Sequence, residues 1–289
     1  MCIDLHAHTT CSDGTLTPEA LVQYAKEKSL KAVGITDHDT VSGNERALTE
    51  GQTQGVEVVP GVEFSAACER GQMHVLGFFI DSENKKIAEA CAWLQKKRRE
   101  RNIKILQKLD KMGIKIERDT FVENTYLGRP HIAYKLVQLG YVNTIDEAFE
   151  TYLKRGAPAY VVRAKLPEEE TIITIVKSGG VPVLAHPVTV FNVEKTVARL
   201  CSYGLEGIEV YYPTHTQEDM NYFFELAKTY NLVVTGGSDF HGEHKPDIDL
   251  GCMNVPAFLL DTLKSRASRA SRASRASNAT SLISSKTEK

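Results

Sequence analysis

The sequence lacks three features that would place it at once in a specialised class. Its 289 residues carry a formal net charge of only −2, so bulk charge gives no reason to expect a nucleic-acid coat or a membrane surface. No apolar run reaches the roughly 18 residues of a membrane-spanning helix, and no signal-like leader is visible. The six cysteines are scattered without paired spacing, which indicates reduced thiols and no CxxC metal site. We therefore expect a cytoplasmic globular protein without membrane contact or an obligate protein partner.

Strand and helix patterns alternate along most of the chain. The segment CIDLHAH is typical of a strand, and a helix is predicted after it with Thr17 as N-cap and Pro18 in the first helical position. Helix patterns also separate most of the apolar segments KAVGITDHD, VEVVPGVEFSA, MHVLGFFI, VPVLAHP, LEGIEVYYP and LVVTGGSDFH. Near-continuous apolar strands of this kind are typical of parallel sheets. The chain is therefore predicted to be an α/β protein.

Residues 82–166 break this alternation and are rich in helix patterns. One long basic pattern, NKKIAEACAWLQKKRRERNIKILQKLDKMG, is followed by two shorter ones around RPHIAYKLVQLG and TIDEAFETYLKRG. We interpret 82–166 as a helical subdomain inserted between 1–81 and 167–262 of the main domain. The Ser-Arg-Ala repeats within 263–289 are too poor in apolar residues to form a core, so we expect a disordered basic tail there. Binding of RNA by this tail is the alternative.

Histidines and carboxylates gather where the strand patterns end. They are His6, His8 and Asp13 after the first, Asp37, His38 and Asp39 after the second, Glu63 at the third, His74 in the fourth, and His186, Asp239 and His241 at later ones. In a closed β/α barrel the carboxyl ends of the strands open on one face, so these side chains are expected to converge. Imidazoles and carboxylates without cysteine suit zinc, manganese or iron. One such pair is equally consistent with an ordinary polar strand end, but the recurrence at several strand ends predicts a multinuclear metal site.

Three further polar residues have two interpretations each. Asp37 and Asp39 flank His38, where they either orient a metal ligand by accepting its imidazole proton or are solvated carboxylates of a turn. His215 lies at a strand-to-helix turn and is either a general acid or a surface histidine.

The motifs DLHAHTTCSDG, GITDHDT, GVEFS, MHVLG, LAHP and GSDFH follow one another in this order over about residues 1–255. This series resembles the successive motifs of the PHP (polymerase and histidinol phosphatase) metallophosphoesterases. Within that family, YLGRPHIAYKLV and FETYLKRGAPAYV, ahead of GGVPVLAHP, are similar to the branch of the 3′,5′-nucleotide bisphosphate phosphatases and a 5′-to-3′ exoribonuclease. The resemblance implies a distorted (β/α)7 TIM-like barrel with an inserted helical cap.

The resemblance also implies a set of metal ligands. One ion would be held by His6, His8, Glu63 and Asp239, a second by Glu63, His74 and His186, and a third by Asp13, His38 and His241. Two or three divalent ions are expected, which in this family are manganese, iron or zinc, with manganese favoured. A hydroxide held at the ions by Glu63, Asp13 and His38 would attack phosphorus without a protein nucleophile. The general acid is not identified beyond the candidate His215.

Substrate contacts are expected in the inserted helices. Arg129 and Pro130 begin a helix pattern, whose unpaired N–H groups and dipole attract an anion, and His131 adds to the positive charge of Arg129 there. The resemblance further implies that Arg101 and Asn102, on the long basic helix, reach the substrate; a solvated helix face is the alternative for such a charge run.

Together these features predict a metal-dependent phosphoesterase. The expected substrate is a nucleoside 3′,5′-bisphosphate, which loses its 3′-phosphate, and short 5′-phosphorylated RNA is a further expected substrate. Histidinol phosphatase or another small phosphomonoesterase is the alternative activity. A second alternative is a PHP module that binds metal without catalysis.

Overall fold

The structure is a computed structural model that describes residues 2–119, 121, 124 and 127–268. The strands are β1 Cys2–Asp4, β2 Ala32–Ile35, β3 Glu57–Ala66, β4 Met73–Phe78, β5 Val181–Leu184, β6 Gly207–Tyr211, β7 Val233–Gly236 and β8 Val255–Pro256. The helices are α1 Pro18–Glu27, α2 Asn44–Gln54, α3 Lys85–Asp110, α4 Arg129–Gln138, α5 Ile145–Ala148, α6 Glu168–Lys177, α7 Val193–Tyr203, α8 Gln217–Thr229 and α9 over 258–268. A π-helical turn, Phe149–Leu153, continues α5.

The strands form one sheet in the order β7-β6-β5-β4-β3-β2-β1-β8. Beyond β1 and β7 the chain approaches itself again: Leu5 donates its N–H to the carbonyl of Gly236 at 3.1 Å, and His8 donates to Phe240 at 2.9 Å. These contacts nearly close the sheet, so the predicted distorted barrel is confirmed.

Two strands depart from the parallel arrangement that the sequence predicts. β4 is antiparallel to β3 and β5, and β8 is antiparallel to β1. Residues 67–72 connect β3 to β4, which is too short for the crossover that parallel strands need. The reversal has a functional consequence, because the pairing of Ser65 with His74 places the start of β4 beside the carboxyl end of β3.

Helix α1 shows how local sequence directs this architecture. Thr17 accepts a hydrogen bond from the N–H of Ala20 at 3.2 Å, and Pro18 begins the helix as predicted. Leu21 and Val22 are fully buried against the barrel. The helix therefore covers the outside of the sheet and leaves the carboxyl ends of the strands open.

The described residues of 82–166, which we call the cap, have a hydrophobic core of their own. Its members include Ile105, Leu109, Ile132 and Leu136. The first half of α3 packs elsewhere: Ile87, Cys91 and Leu94 belong to the core beneath the barrel helices. One continuous helix is therefore shared by the barrel and the cap.

Helix α9 closes the described part of the chain. Leu260 and Leu263 on this helix are fully buried and pack with β-strand residues such as Ile3. The predicted tail boundary after residue 262 therefore falls inside a helix, because apolar residues continue one turn further than the repeats suggested. Residues 269–289 lie outside the described residues. None of the described helices has the length and apolarity required to span a bilayer.

Candidate metal centre

Glu63, at the carboxyl end of β3, lies at the middle of a histidine cluster. Its two oxygen atoms are approached by five imidazoles, with nitrogen–oxygen distances of 3.5 Å for His6, 3.4 Å for His8, 2.8 Å for His38, 2.9 Å for His74 and 3.1 Å for His186. Glu63 itself is 1% exposed. The fold thus brings together side chains from β3, β4 and the segments after β1, β2 and β5.

Two further carboxylates complete the cluster. Asp239 Oδ1 lies 3.4 Å from Nε2 of His6 and 3.1 Å from Nε2 of His8. Asp13 Oδ1 lies 3.4 Å from Nε2 of His241 and 3.6 Å from Nδ1 of His8. All nine predicted metal ligands therefore lie in one contiguous cluster.

A buried carboxylate and a close glycine contact position the loop that carries Asp239. Asp4 accepts hydrogen bonds from the N–H of His6 at 3.2 Å and of Ser238 at 3.0 Å. A Cβ atom at Gly237 would lie 2.4 Å from the backbone nitrogen of His6, so only glycine permits this approach. The loop after β7 is thereby held against the residues after β1.

The cluster fits divalent cations. Six buried atoms that can bind a metal have no hydrogen-bond partner among the described residues: Nε2 of His6, Nε2 of His8, Oδ1 of Asp13, Nδ1 of His38, Oε2 of Glu63 and Nδ1 of His74. Three groups have ligand atoms within 4.8 Å of one another, namely His8–Asp13–His38–His241, His6–His8–Glu63 and His38–Glu63–His74. Buried polar atoms are normally paired, and this donor set is that of zinc, manganese and iron sites. A metal cluster accounts for all six.

The three carboxylates and two of the imidazoles in the cluster have the protonation states that metal ligands need. Burial disfavours the charge of Glu63, Asp13 and Asp239, yet the neighbouring histidines hold the pKa of each carboxyl well below its usual range. Burial lowers the pKa of His8 to about 3 and that of His74 to about 4. The carboxylates are thus anionic and these two imidazoles neutral, as metal ligands must be.

Glu209, on β6, is a site residue that the sequence analysis missed. Its side chain is fully buried, 3.0 Å from Nδ1 of His6, and it accepts the backbone N–H of His186 at 2.8 Å. The one available signal is an acidic residue inside the apolar strand GIEVY. Glu209 orients two ligands from behind the cluster.

Both interpretations of Asp37 and Asp39 are wrong. Asp37 is buried and accepts hydrogen bonds from the N–H of Thr9 at 2.8 Å and the hydroxyl of Ser12 at 2.6 Å. It therefore anchors the loop before Asp13 rather than an imidazole. Asp39 is also buried, and its Oδ2 accepts from the guanidinium of a cap arginine, Arg98, at 2.5 Å.

Arginines of the cap gather beside the metal centre. Arg163 also pairs with Asp39, at 2.8 Å, and Arg98 donates to the carbonyl of His38 at 3.2 Å. Arg101 is 6% exposed, and burial, followed by the charges of Arg129 and Arg163, lowers its pKa to about 9. Positive charge is thus concentrated next to the predicted ligand His38.

Arg101 and Arg129 bond to neutral partners. Arg101 donates from Nε to the carbonyl of Val161 at 3.0 Å, while its buried Nη2 has no hydrogen-bond partner in the described part of the chain. Arg129 donates from Nη1 to the carbonyl of Leu153 at 3.1 Å. These bonds orient the two guanidinium groups without neutralising them.

The other two predicted substrate contacts have structural roles. Asn102 is fully buried and donates to the carbonyl of Leu127 at 2.7 Å, which ties α3 to the loop before α4. His131 accepts the N–H of Gly128 through Nδ1 at 3.1 Å, and burial lowers its pKa to about 4. The expected positive charge on His131 is therefore wrong, because the accepting imidazole is neutral.

His215 does not line the cavity over the metal centre. Its ring packs between Tyr212 and Phe223, with its Nδ1 2.8 Å from the carbonyl of Val210. It is 7% exposed, so the surface interpretation is wrong. Tyr212, His244 and Lys245 line the cavity instead, together with metal-centre residues.

Six of the nine clustered ligands, His6, His8, Asp13, His38, Glu63 and His74, lie in a part of the chain that matches a known protein family. The model of the PHP domain matches residues 4–152, which is more than half of the chain. The chain belongs to the PHP domain family. The predicted family is thus confirmed.

Relatives of this PHP protein are similar over most of their length. It is 33% identical over 257 residues to the 5′-3′ exoribonuclease Rnm of Escherichia coli, covering 86% of this chain and 87% of that protein. It is 31% identical over 257 residues to the 3′,5′-nucleoside bisphosphate phosphatase of Chromobacterium violaceum, covering 86% and 90%. A solved structure from Bifidobacterium adolescentis, described as a metal-dependent phosphoesterase, matches with a TM-score of 0.85 at 30% identity, covering 91% and 96%. The predicted enzyme class, a metal-dependent hydrolase of phosphoester bonds, is confirmed.

Proposed function

We propose that the protein hydrolyses the 3′-phosphate of nucleoside 3′,5′-bisphosphates and holds the 5′-phosphate on the cap arginines. The observation that carries this proposal is the pair Arg101 and Arg129, whose buried or half-buried guanidinium groups bond to carbonyls and lie near Arg163, a partner of Asp39. These two neighbouring groups lose hydration on burial, and among the described residues no carboxylate pairs with either of them. A phosphate that is bound but not cleaved supplies a counter-charge.

Each part of the centre has a distinct role in this reaction. Bound divalent cations would be held by the nine clustered ligands and would supply an activated water nucleophile and charge stabilisation at the phosphoryl group. Lys245 and Tyr212 both contact Oδ2 of Asp239, at 2.6 and 2.9 Å, which leaves Oδ1 turned toward His6 and His8. Lys245 and His244 line the cavity and are therefore candidates for the general acid, the role for which the sequence analysis offered His215.

Asp39 links the arginine cluster to the metal centre. It follows His38 directly, and its carboxylate pairs with Arg98 and Arg163 from the cap. His38 and Asp39 therefore connect the metal centre, where the 3′-phosphate would bind, to the arginine cluster, where the 5′-phosphate would bind. This supports a substrate with two phosphates on one small molecule.

A substrate panel with Mn²⁺ tests the proposal. Adenosine 3′,5′-bisphosphate should be hydrolysed with a higher kcat/KM than histidinol phosphate. Arg129→Ala should lower kcat/KM for the bisphosphate far more than for p-nitrophenyl phosphate, which has no second phosphate. Arg118→Ala is the matched control, because Arg118 is an exposed cap arginine paired with Asp110. Equal losses on both substrates would contradict a second phosphate site.

Hydrolysis of short 5′-phosphorylated RNA is the second candidate function. It is supported by the similarity to the exoribonuclease of Escherichia coli and by the shared 5′-phosphate, which the same arginines can bind. The panel separates the two activities when a 5′-phosphorylated oligoribonucleotide is included. Stoichiometric binding of Mn²⁺ with no cleavage of any phosphoester would instead favour a non-catalytic metal-binding module.

A further inference from the structure

The cavity over the metal centre has two chemically different walls. Its volume is about 340 Å³, which is at the lower end of the range for small-molecule sites. The barrel side carries the metal-centre residues with polar neighbours such as Gln72 and Thr189, whereas the cap contributes Pro130, Ile145 and Phe149. A molecule that fills the cavity therefore needs a phosphate at one end and an apolar group at the other.

Phe149 is the aromatic residue among the described cap residues that line the cavity. It packs at the edge of the cap core and also lines the cavity. The guanidinium carbon of Arg129 lies 5.5 Å from the ring centroid, which is within range for a cation–π contact. Because Arg129 also donates to Leu153, the contact holds the ring in place.

The backbone at Phe149 is unusual as well. The chain changes there from the α-helix Ile145–Ala148 to the π-helical turn Phe149–Leu153. Such turns are rare and are found frequently at functional sites. The turn connects the ring that lines the cavity to the carbonyl that orients Arg129.

We propose that Phe149 is the stacking platform for the base of a nucleotide substrate. The inference rests on the proposed function, because it assigns the apolar wall to the part of the nucleotide that carries no phosphate. An aromatic ring can stack on any nucleic-acid base, because every base has a π-face. Arg129 then serves both parts of the ligand, since it fixes the ring and carries the charge for the phosphate.

Binding experiments with manganese-loaded protein test this platform independently of turnover. Calorimetry would compare adenosine 5′-monophosphate with ribose 5-phosphate, which lacks the base. The wild type should bind the monophosphate more tightly. Phe149→Leu, which keeps apolar volume and removes the ring, should weaken binding of the monophosphate about 10-fold and leave ribose 5-phosphate unchanged. Phe149→Trp should retain the preference.

Tyr141→Ala serves as control, because Tyr141 is an exposed aromatic residue of the cap that does not line the cavity. Equal affinity of the wild type for both ligands would overturn the platform, as would an equal loss for both in Phe149→Leu. Loss of preference in Phe149→Trp would also overturn it. A third outcome separates the two proposals. If the protein prefers adenosine 5′-monophosphate to ribose 5-phosphate but does not hydrolyse adenosine 3′,5′-bisphosphate, the proposed function is refuted and the stacking platform is not.

Discussion

Glu209 accepts a hydrogen bond from Nδ1 of His6 at 3.0 Å. A carboxylate can only accept, so Nδ1 of His6 carries a proton, and Nε2, which faces Glu63 and Asp239, is the nitrogen that can bind a metal ion. The same carboxylate accepts the N–H of His186, whose φ of 27° is in a region that side chains rarely adopt. Glu209 therefore fixes the tautomer of His6 and holds the strained backbone of His186.

Replacing Glu209 by Gln should weaken metal binding by about 10- to 100-fold. The amide oxygen can still accept from His6 or from His186, but the amide N–H₂ then faces the other donor. Isothermal titration of the metal-free protein with Mn²⁺ measures the effect. Glu206→Gln is the matched control, because Glu206 is a partly exposed glutamate of the same segment that pairs with Arg266. Unchanged affinity in Glu209→Gln would show that Glu209 does not position the ligands.

Removal of divalent cations should lower the melting temperature and abolish phosphoester hydrolysis. The six unpartnered donor atoms are buried whether or not a cation is bound, so cation binding stabilises the folded protein. At 100 times the dissociation constant, this linkage contributes about 2.7 kcal/mol. Thermal denaturation with chelator and with Mn²⁺ measures the difference. Glu63→Gln should show little response to Mn²⁺, and undiminished hydrolysis in chelator would contradict the assignment.

Arg101→Met should leave the free energy of unfolding equal to or higher than that of the wild type, by up to about 4 kcal/mol. The pKa of Arg101 is lowered in the folded protein, so its charged form opposes folding at neutral pH. Chemical denaturation with and without inorganic phosphate provides the measurement. Phosphate should stabilise the wild type and not the variant. Equal stabilisation of both proteins would place the anion elsewhere.

Asp39→Asn should lower the free energy of unfolding by about 3–5 kcal/mol, because the buried carboxylate that pairs with buried Arg98 and half-buried Arg163 loses its charge. Asparagine tolerates the positive φ of 57° at this position, so the change removes charge without straining the backbone. Asp110→Asn is the comparison, since it breaks an exposed pair with Arg118 that is worth about 1 kcal/mol or less. Urea denaturation measures both variants. Equal and small losses of unfolding free energy in Asp39→Asn and Asp110→Asn would contradict a stabilising buried ion pair at Asp39.

The convergence of the metal ligands was predictable because it depends on local patterns. Apolar strands in a parallel barrel place their carboxyl ends together, and polar residues at those ends must then meet. His6, Glu63 and Asp239 follow this rule. His74 meets them for a different reason, because β4 runs in the opposite direction after a short connection.

The residues that support the ligands were not predictable in the same way. One partner of Asp39 is Arg163, 124 residues further along the chain, and no spacing rule connects them. Glu209 is hidden in an apolar strand, where its burial depends on His6 from the opposite end of the sequence. His215 has the right residue type, but its position behind Tyr212 depends on how α8 packs on β6.

Helix α3 determines how the active site can be reached. Its 26 residues contain no proline or glycine, the residues at which helices most often kink. Since its two halves belong to the barrel core and the cap core, the cap cannot swing away like a hinged lid without breaking the helix. We therefore expect α3 to hold the cap at a fixed distance from the metal centre, so that substrate binding involves no hinge motion of this helix.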